Sequence, residues 1–153
     1  MTRQGKPGVS SGQSGPRLKP VISIVDDDLS MRQALESLTR SLGFVSRSFA
    51  SADDYLDSDA RECTTCLISD VEMPRMSGWE LQERLSREGR VVPIVFITAF
   101  PDEAVCAKVM KAGAVDYLLK PFNENELVSS IHLALSRNKW SDLWEVAGAD
   151  AIR

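Results

Sequence analysis

Residues 21–28 have the sequence VISIVDDD, a short run rich in β-branched residues that ends in three aspartates. A run of this length is typical of a strand buried on both faces of a parallel sheet. A helical pattern follows, for which Ser30 and Gln33 are predicted to form the N-terminal capping box and Gly43 the stop. Its apolar residues lie at helical spacing and are Met31, Leu35, Leu38 and Leu42.

The same alternation of apolar run and helical pattern continues along the chain. Further strands are predicted at residues 44–49, 66–70, 93–98 and 115–119, and Asn123 and Glu126 are predicted to cap the last helix. Five strands that alternate with five helices predict an α/β fold with a parallel sheet covered on both faces. Right-handed crossovers then favour a doubly wound sheet with strand order 2-1-3-4-5.

Charge and composition limit the classes of function. The chain has 153 residues and a net charge of −4, but residues 1–20 hold four basic and no acidic groups, so the remainder carries −8. The acidic charge of residues 21–153 does not favour nucleic-acid binding, because such binding needs clustered Lys and Arg. No apolar run approaches the roughly 18 residues of a membrane-spanning helix, and no signal peptide is recognisable. We therefore expect a cytoplasmic protein.

Ten of the first 20 residues are Gly, Pro or Ser, without apolar periodicity. This composition favours a flexible tail over a packed segment. The expected organisation is a basic tail at residues 1–19, one domain at residues 20–138, and a short extension at residues 139–153.

Two of the three cysteines, Cys63 and Cys66, have the spacing of a redox pair or of half a zinc site. A zinc site would need two further ligands, and the only histidine is His132 in the last helical pattern. Cys66 also opens a predicted buried strand, where a cysteine acts as a small apolar residue. The packing interpretation is therefore favoured.

Polar residues follow the predicted strands where ligands bind in open α/β sheets, beyond the carboxyl ends. Residues 26–28 are aspartates after the first strand, Asp70 ends the third, Thr98 ends the fourth and Lys120 follows the fifth. Carboxylates gathered in one crevice repel one another unless a cation lies among them, and Mg²⁺ prefers such oxygen ligands. Together with an ammonium group, this set suits phosphoryl transfer with a carboxylate as the nucleophile.

Several motifs closely resemble the response-regulator receiver family, the CheY-like superfamily with a flavodoxin-like (βα)5 fold. Residues 25–27 (VDD) resemble its acidic pair, and residues 69–78 (SDVEMPRMSG) its phosphoacceptor loop. Thr98-Ala99 resembles the switch hydroxyl with its small neighbour, Tyr117 the switch aromatic, and residues 120–122 (KPF) the Lys-Pro motif. The resemblance covers about residues 20–138.

The resemblance implies a role for each of these residues. Asp70 would accept the phosphoryl group from a sensor histidine kinase, a phosphotransfer protein or a small donor such as acetyl phosphate. The Mg²⁺ ligands would be Asp27, Asp26 (through water), Asp70 and the main-chain carbonyl of Glu72. Lys120 would pair with Asp70 and precede a cis peptide bond to Pro121. Thr98 and Tyr117 would then reorient and alter the surface of the fourth helix, fifth strand and fifth helix.

The details most resemble receivers of LuxR-class regulators, which implies a phosphorylation-dependent homodimer and a signalling domain rather than an enzyme. Phe100 and Glu72 flank the site and are expected to tune the lifetime of the phosphoryl group. Residues 138–153 are too few for a helix-turn-helix domain, and their apolar Trp140, Leu143 and Trp144 are expected to pack on the body or to bind a partner.

Three hypotheses about function remain open. The leading one is a stand-alone receiver that signals by binding another protein, without direct contact with nucleic acid or membrane. The second is the receiver half of a DNA-binding transcription regulator whose effector domain is absent from this chain. The third is an aspartyl-phosphate phosphohydrolase, because Asp26-x-Asp28-x-Ser30 loosely imitates the acidic loop of haloacid-dehalogenase-like phosphatases.

Overall fold

A computed structural model describes residues 19–137. Its parallel sheet consists of β1 (Val21–Val25), β2 (Val45–Phe49), β3 (Cys66–Asp70), β4 (Ile94–Thr98) and β5 (Asp116–Leu119). The helices are α1 (Leu29–Ser41), α2 (Ala52–Asp57), α3 (Gly78–Arg87), α4 (Glu103–Lys111) and α5 (Glu124–Ser136), and a 3-10 turn spans Asp59–Glu62. The strand order β2-β1-β3-β4-β5 confirms the predicted doubly wound topology.

Alternate residues of the strands enter two separate apolar cores, one on each face of the sheet. Ile22 and Ile24 of β1 pack with α1 and α5 on one face, whereas Val25 packs with α2, α3 and α4 on the other. Both faces of β3 and β4 are completely buried. This double burial explains why residues 66–68 and 94–97 are continuous apolar runs.

Three predicted strands begin one residue later than expected. Phe44, Pro93 and Val115 each lie just before the strand that was predicted to contain them. Pro93 has no N–H to donate to a ladder, although its carbonyl still accepts a bond from the Leu67 amide at 2.9 Å. The amide of Phe44 donates to Thr39 and thereby closes α1.

Of the two predicted capping boxes, the one at α1 is wrong and the one at α5 is confirmed. Asp28, not Ser30, is the N-cap, and its side chain accepts a bond from the Ser30 amide at 3.0 Å. The predicted Ser30–Gln33 capping box is therefore wrong, because Ser30 already lies inside the first turn. The box of Asn123 and Glu126 is confirmed.

Gly43 ends α1 in the left-handed region, with a φ of 92°, as its place in the sequence predicted.

The cysteines occupy different environments. Cys66 is completely buried at the start of β3, and burial raises the pKa of its thiol to about 12, whereas Cys63 is exposed. A buried thiol without charge fits the packing interpretation.

Within residues 19–137, no helix is both long and apolar enough to cross a membrane. The proposed basic tail, the extension and its residues Trp140, Leu143 and Trp144 lie outside the described residues, so the domain boundaries stay predictions.

Candidate functional site

The strand register brings the predicted site residues to one edge of the sheet. Asp70 is the last residue of β3 and Thr98 the last of β4, and Lys120 directly follows β5. In the ladder Thr98 pairs with Leu119, and the Lys120 amide donates to the Thr98 carbonyl at 2.7 Å. Asp26 directly follows β1, so the carboxyl ends of four neighbouring strands surround one crevice.

Three carboxylates meet in this crevice. Asp26, Asp27 and Asp70 each offer an oxygen, and these three oxygens lie within 4.8 Å of one another. Asp26 and Asp70 are buried, whereas Asp27 is exposed. A set of oxygen donors that is open to solvent on one side fits Mg²⁺, which usually retains several waters beside one or two carboxylates. Asp28, the other acid of the phosphatase-like pattern, is occupied as the cap of α1.

Lys120 supplies a fixed positive charge between two of these carboxylates. Its Nζ lies 3.0 Å from Asp26 Oδ2 and 3.3 Å from Asp70 Oδ2. Burial alone would lower the pKa of Lys120, but its bonds to the two carboxylates outweigh that effect and raise the pKa above its ordinary value. The ammonium therefore stays charged, and its nearer partner is Asp26.

The environment of Asp70 weakens its acidity. Burial, and after it the charge of Asp26, raise the pKa of Asp70 to about 6, although Lys120 and the Glu72 amide favour the charged form. The amide of Glu72 lies 3.3 Å from Asp70 Oδ1. At pH 7 the group is still mostly carboxylate, by about ten to one. The nucleophilic form is thus available at neutral pH and is lost as the pH falls through 6.

The two predicted switch residues are hydrogen-bonded to the β4–α4 loop. The Thr98 hydroxyl accepts a bond from the Phe100 amide at 3.0 Å and lies 3.3 Å from the Phe100 carbonyl. The hydroxyl of Tyr117 accepts a bond from the amide of Asp102, the N-cap of α4, at 3.3 Å. Both side chains are therefore held by the loop that leads into α4.

Other predictions concern the neighbours of these residues. The bond between Lys120 and Pro121 is cis, as the resemblance implied. Glu72 and Phe100 are both exposed beside the site. The role of the Glu72 carbonyl as a metal ligand stays a prediction.

Two residues of the site had no role assigned from the sequence. Arg32 of α1 donates to the main-chain carbonyl of Asp26 at 2.7 Å. Gly78 lies so close to Asp70 that a Cβ on it would be 2.2 Å from the Asp70 carbonyl oxygen. The sequence offered a signal for each, namely a cation near the N-terminus of a helix and a glycine in the loop motif.

Comparisons with known proteins agree with this arrangement. The sequence model for the response regulator receiver domain matches residues 22–132. Response regulator protein TodT of Pseudomonas putida is 45% identical over 115 residues, which make up 75% of this chain and 51% of TodT. Transcriptional regulatory protein FixJ of Bradyrhizobium diazoefficiens is 37% identical over 114 residues, covering 74% of this chain and 56% of FixJ. The chain thus spans about half the length of these relatives.

Solved structures show the same fold. The response regulator StyR superposes with a TM-score of 0.74 at 44% identity, covering 78% of this chain and 61% of StyR. The crystal structure of FixJ-N superposes with a TM-score of 0.72 at 31% identity, covering 78% of this chain and 96% of FixJ-N. The chain therefore belongs to the response regulator receiver domain family, the signalling modules of two-component systems.

Proposed function

We propose that this receiver domain, residues 20–138, accepts a phosphoryl group on Asp70 in a Mg²⁺-dependent reaction. The observation that carries the proposal is the crevice in which Asp70 lies with Asp26, Asp27 and Lys120. Receiver domains generally bind Mg²⁺ and form phosphoaspartate, and here the side chains for both are gathered at one edge of the sheet. The proposed location is the cytoplasm.

Each residue has a defined part in the transfer. Asp27, Asp26, Asp70 and the Glu72 carbonyl would hold the cation, which when bound neutralises charge on the phosphoryl oxygens. An Asp70 oxygen attacks the phosphorus, so that an O–P bond forms while the bond from phosphorus to the donor breaks. Lys120 stays charged beside the product and balances part of its negative charge. The proposed donor is the phosphohistidine of a sensor histidine kinase or of a phosphotransfer protein.

The proposal is tested by weighing the intact protein after incubation with acetyl phosphate. With Mg²⁺ we expect a gain of one phosphoryl group, and with excess chelator no gain, because the three carboxylates would then repel the incoming anion. Mass gain in the presence of chelator would contradict the metal dependence. A chain that never gains mass would contradict phosphorylation by this donor.

The output surface that we propose is formed by α4, β5 and α5. Each of these elements exposes a large apolar side chain, namely Met110, Leu119 and Leu133. Such side chains fit contact with another protein, and we propose a phosphorylation-dependent homodimer through this surface. The coupling would run through Thr98 and Tyr117. When both leave the β4–α4 loop, the Phe100 and Asp102 amides lose their partners and the start of α4 is freed to move.

Replacing Tyr117 with phenylalanine is expected to favour the dimer without phosphorylation. The change removes the acceptor of the Asp102 amide, a bond worth about 1 kcal/mol, and so raises about five-fold the population in which residue 117 has left the β4–α4 loop. Light scattering with and without beryllofluoride, a mimic of the phosphoryl group, measures the effect. The wild type should dimerise only with the mimic. Tyr55→Phe is the control and should match the wild type, because the hydroxyl of Tyr55 in α2 bonds to Thr64 and not to the β4–α4 loop.

A second candidate is the receiver part of a DNA-binding transcription regulator. It is favoured by the coverage of about half of TodT and FixJ and by the name of FixJ as a transcriptional regulatory protein. The crevice would work identically in both cases, and only the target of the output surface would differ. Sequencing the gene beyond the codon for Arg153 distinguishes the two candidates.

A further inference from the structure

Every polar group of Asp26 forms a hydrogen bond. Its amide donates to the Phe49 carbonyl at 3.1 Å, its Oδ1 accepts from the Asp28 amide at 2.9 Å, and its Oδ2 accepts from Lys120. Its carbonyl accepts from Arg32 Nη1 at 2.7 Å, the shortest of these bonds. Phe49 and Lys120 are distant in the sequence and Arg32 lies on α1, so the position of Asp26 does not depend on its loop alone.

Arg32 occupies an unusual place for a cation. It is the fourth residue of α1, and its side chain extends back toward the N-terminus of the helix, where the helix dipole disfavours positive charge. It is also half-buried. A basic side chain near a helix N-terminus is unfavourable, and such a residue is expected where a functional contact offsets this cost. The charged hydrogen bond to the Asp26 carbonyl is such a contact.

The carbonyl that Arg32 holds belongs to the peptide group that joins Asp26 to Asp27. A fixed carbonyl fixes the plane of this peptide group. It thereby restricts the direction in which the Asp27 side chain extends from the main chain. Asp27 is exposed, so packing does not hold its side chain, and the direction of its main chain limits the region that its carboxylate can reach. The Asp26–Asp27 peptide that Arg32 holds therefore limits where the Asp27 carboxylate can lie relative to that of Asp70.

We propose that Arg32 is a positioning residue of the cation site: its guanidinium orients the Asp26–Asp27 peptide so that the carboxylates converge. The inference rests on the proposed function, because it assumes that the crevice binds Mg²⁺. A positioning role and a purely electrostatic role predict opposite changes in Mg²⁺ affinity when Arg32 is removed. A nearby positive charge repels a cation, so charge alone would make Mg²⁺ bind more tightly when Arg32 is removed.

Calorimetric titration of the unphosphorylated full chain with Mg²⁺ tests the proposal, with no phosphoryl donor present. Arg32→Ala should weaken Mg²⁺ binding about ten-fold, the lower end of the loss seen when groups that orient metal ligands are removed. Arg32→Lys retains a charged donor and should reduce the loss to about three-fold. Arg40→Ala is the matched control, because Arg40 lies on the same helix, is exposed and pairs with Glu36. It should bind Mg²⁺ as the wild type does.

Unchanged or tighter Mg²⁺ binding by Arg32→Ala would overturn the proposal while leaving phosphorylation of Asp70 intact. Equal weakening by Arg32→Ala and Arg40→Ala would also overturn it, since the loss would then not depend on the bond to the Asp26 carbonyl. If circular dichroism shows that Arg32→Ala is unfolded, Arg32→Lys decides between the alternatives. A loss of Mg²⁺ affinity of about three-fold supports the proposal, and an unchanged Mg²⁺ affinity contradicts it. A wild type that binds no Mg²⁺ would refute the proposed function as well.

Discussion

Asp70→Asn is expected to abolish phosphorylation by acetyl phosphate and Mg²⁺, with no mass gain in the intact protein. An amide oxygen is not a nucleophile toward phosphorus, whereas the carboxylate of Asp70 is available at neutral pH and lies next to a charge-balancing ammonium. The control is Asp54→Asn, an exposed acid of α2 outside the crevice, which should be phosphorylated as the wild type is. Mass gain on Asp70→Asn equal to that of the control would refute Asp70 as the acceptor.

The same substitution should stabilise the fold when no divalent cation is present. The pKa of Asp70 is raised by burial and by Asp26 to about 6 from 3.8, so ionisation of the folded protein costs stability as the pH rises. That stability is fully present below pH 3.8 and is lost as the pH passes 6. Asp70→Asn should therefore unfold like the wild type at low pH and be more stable by about 1–3 kcal/mol at pH 7. Urea unfolding at both pH values measures the difference.

The centre of the sheet could be predicted because the three strands β1, β3 and β4 have the same physical requirement. A parallel strand between two layers of helices must be apolar on both faces, and β3 and β4 show this in unbroken runs. The residues at which helices and strands begin and end were harder to predict from the sequence. Asp28 and Ser30 are both residue types that cap helices well. Which of them is the N-cap depends on where α1 begins after β1, and tertiary contacts determine that position.

The candidate site divides in a similar way. Residues at the ends of parallel strands must meet, which is why Asp70, Thr98 and Lys120 could be placed from the sequence. The distribution of contacts within the site could not be predicted. That Lys120 lies closer to Asp26 than to Asp70, and that Arg32 reaches the Asp26 carbonyl, depend on side-chain conformations in the folded core.

Gly78→Ala is expected to lower both the stability of the domain and its rate of phosphorylation. Gly78 begins α3, and a methyl group there would lie 2.2 Å from the Asp70 carbonyl oxygen and 3.1 Å from its carbonyl carbon. Alanine gains up to about 1 kcal/mol of helix propensity over glycine. The clash is with main chain on a buried strand, which cannot yield as a flexible side chain would. A net loss of about 2 kcal/mol or more is therefore expected.

A matched substitution separates this clash from the ordinary cost of replacing glycine. Gly89 has a φ of 77° and open space around its Cα, so Gly89→Ala should cost about 1–2 kcal/mol through backbone strain alone. It lies at the opposite end of α3 from Gly78 and should be phosphorylated at the rate of the wild type. Gly78→Ala must move either α3 or the end of β3, and with it the carboxylate of Asp70. If both variants lose stability but keep the wild-type rate, the close approach of Gly78 serves packing and not the position of the nucleophile.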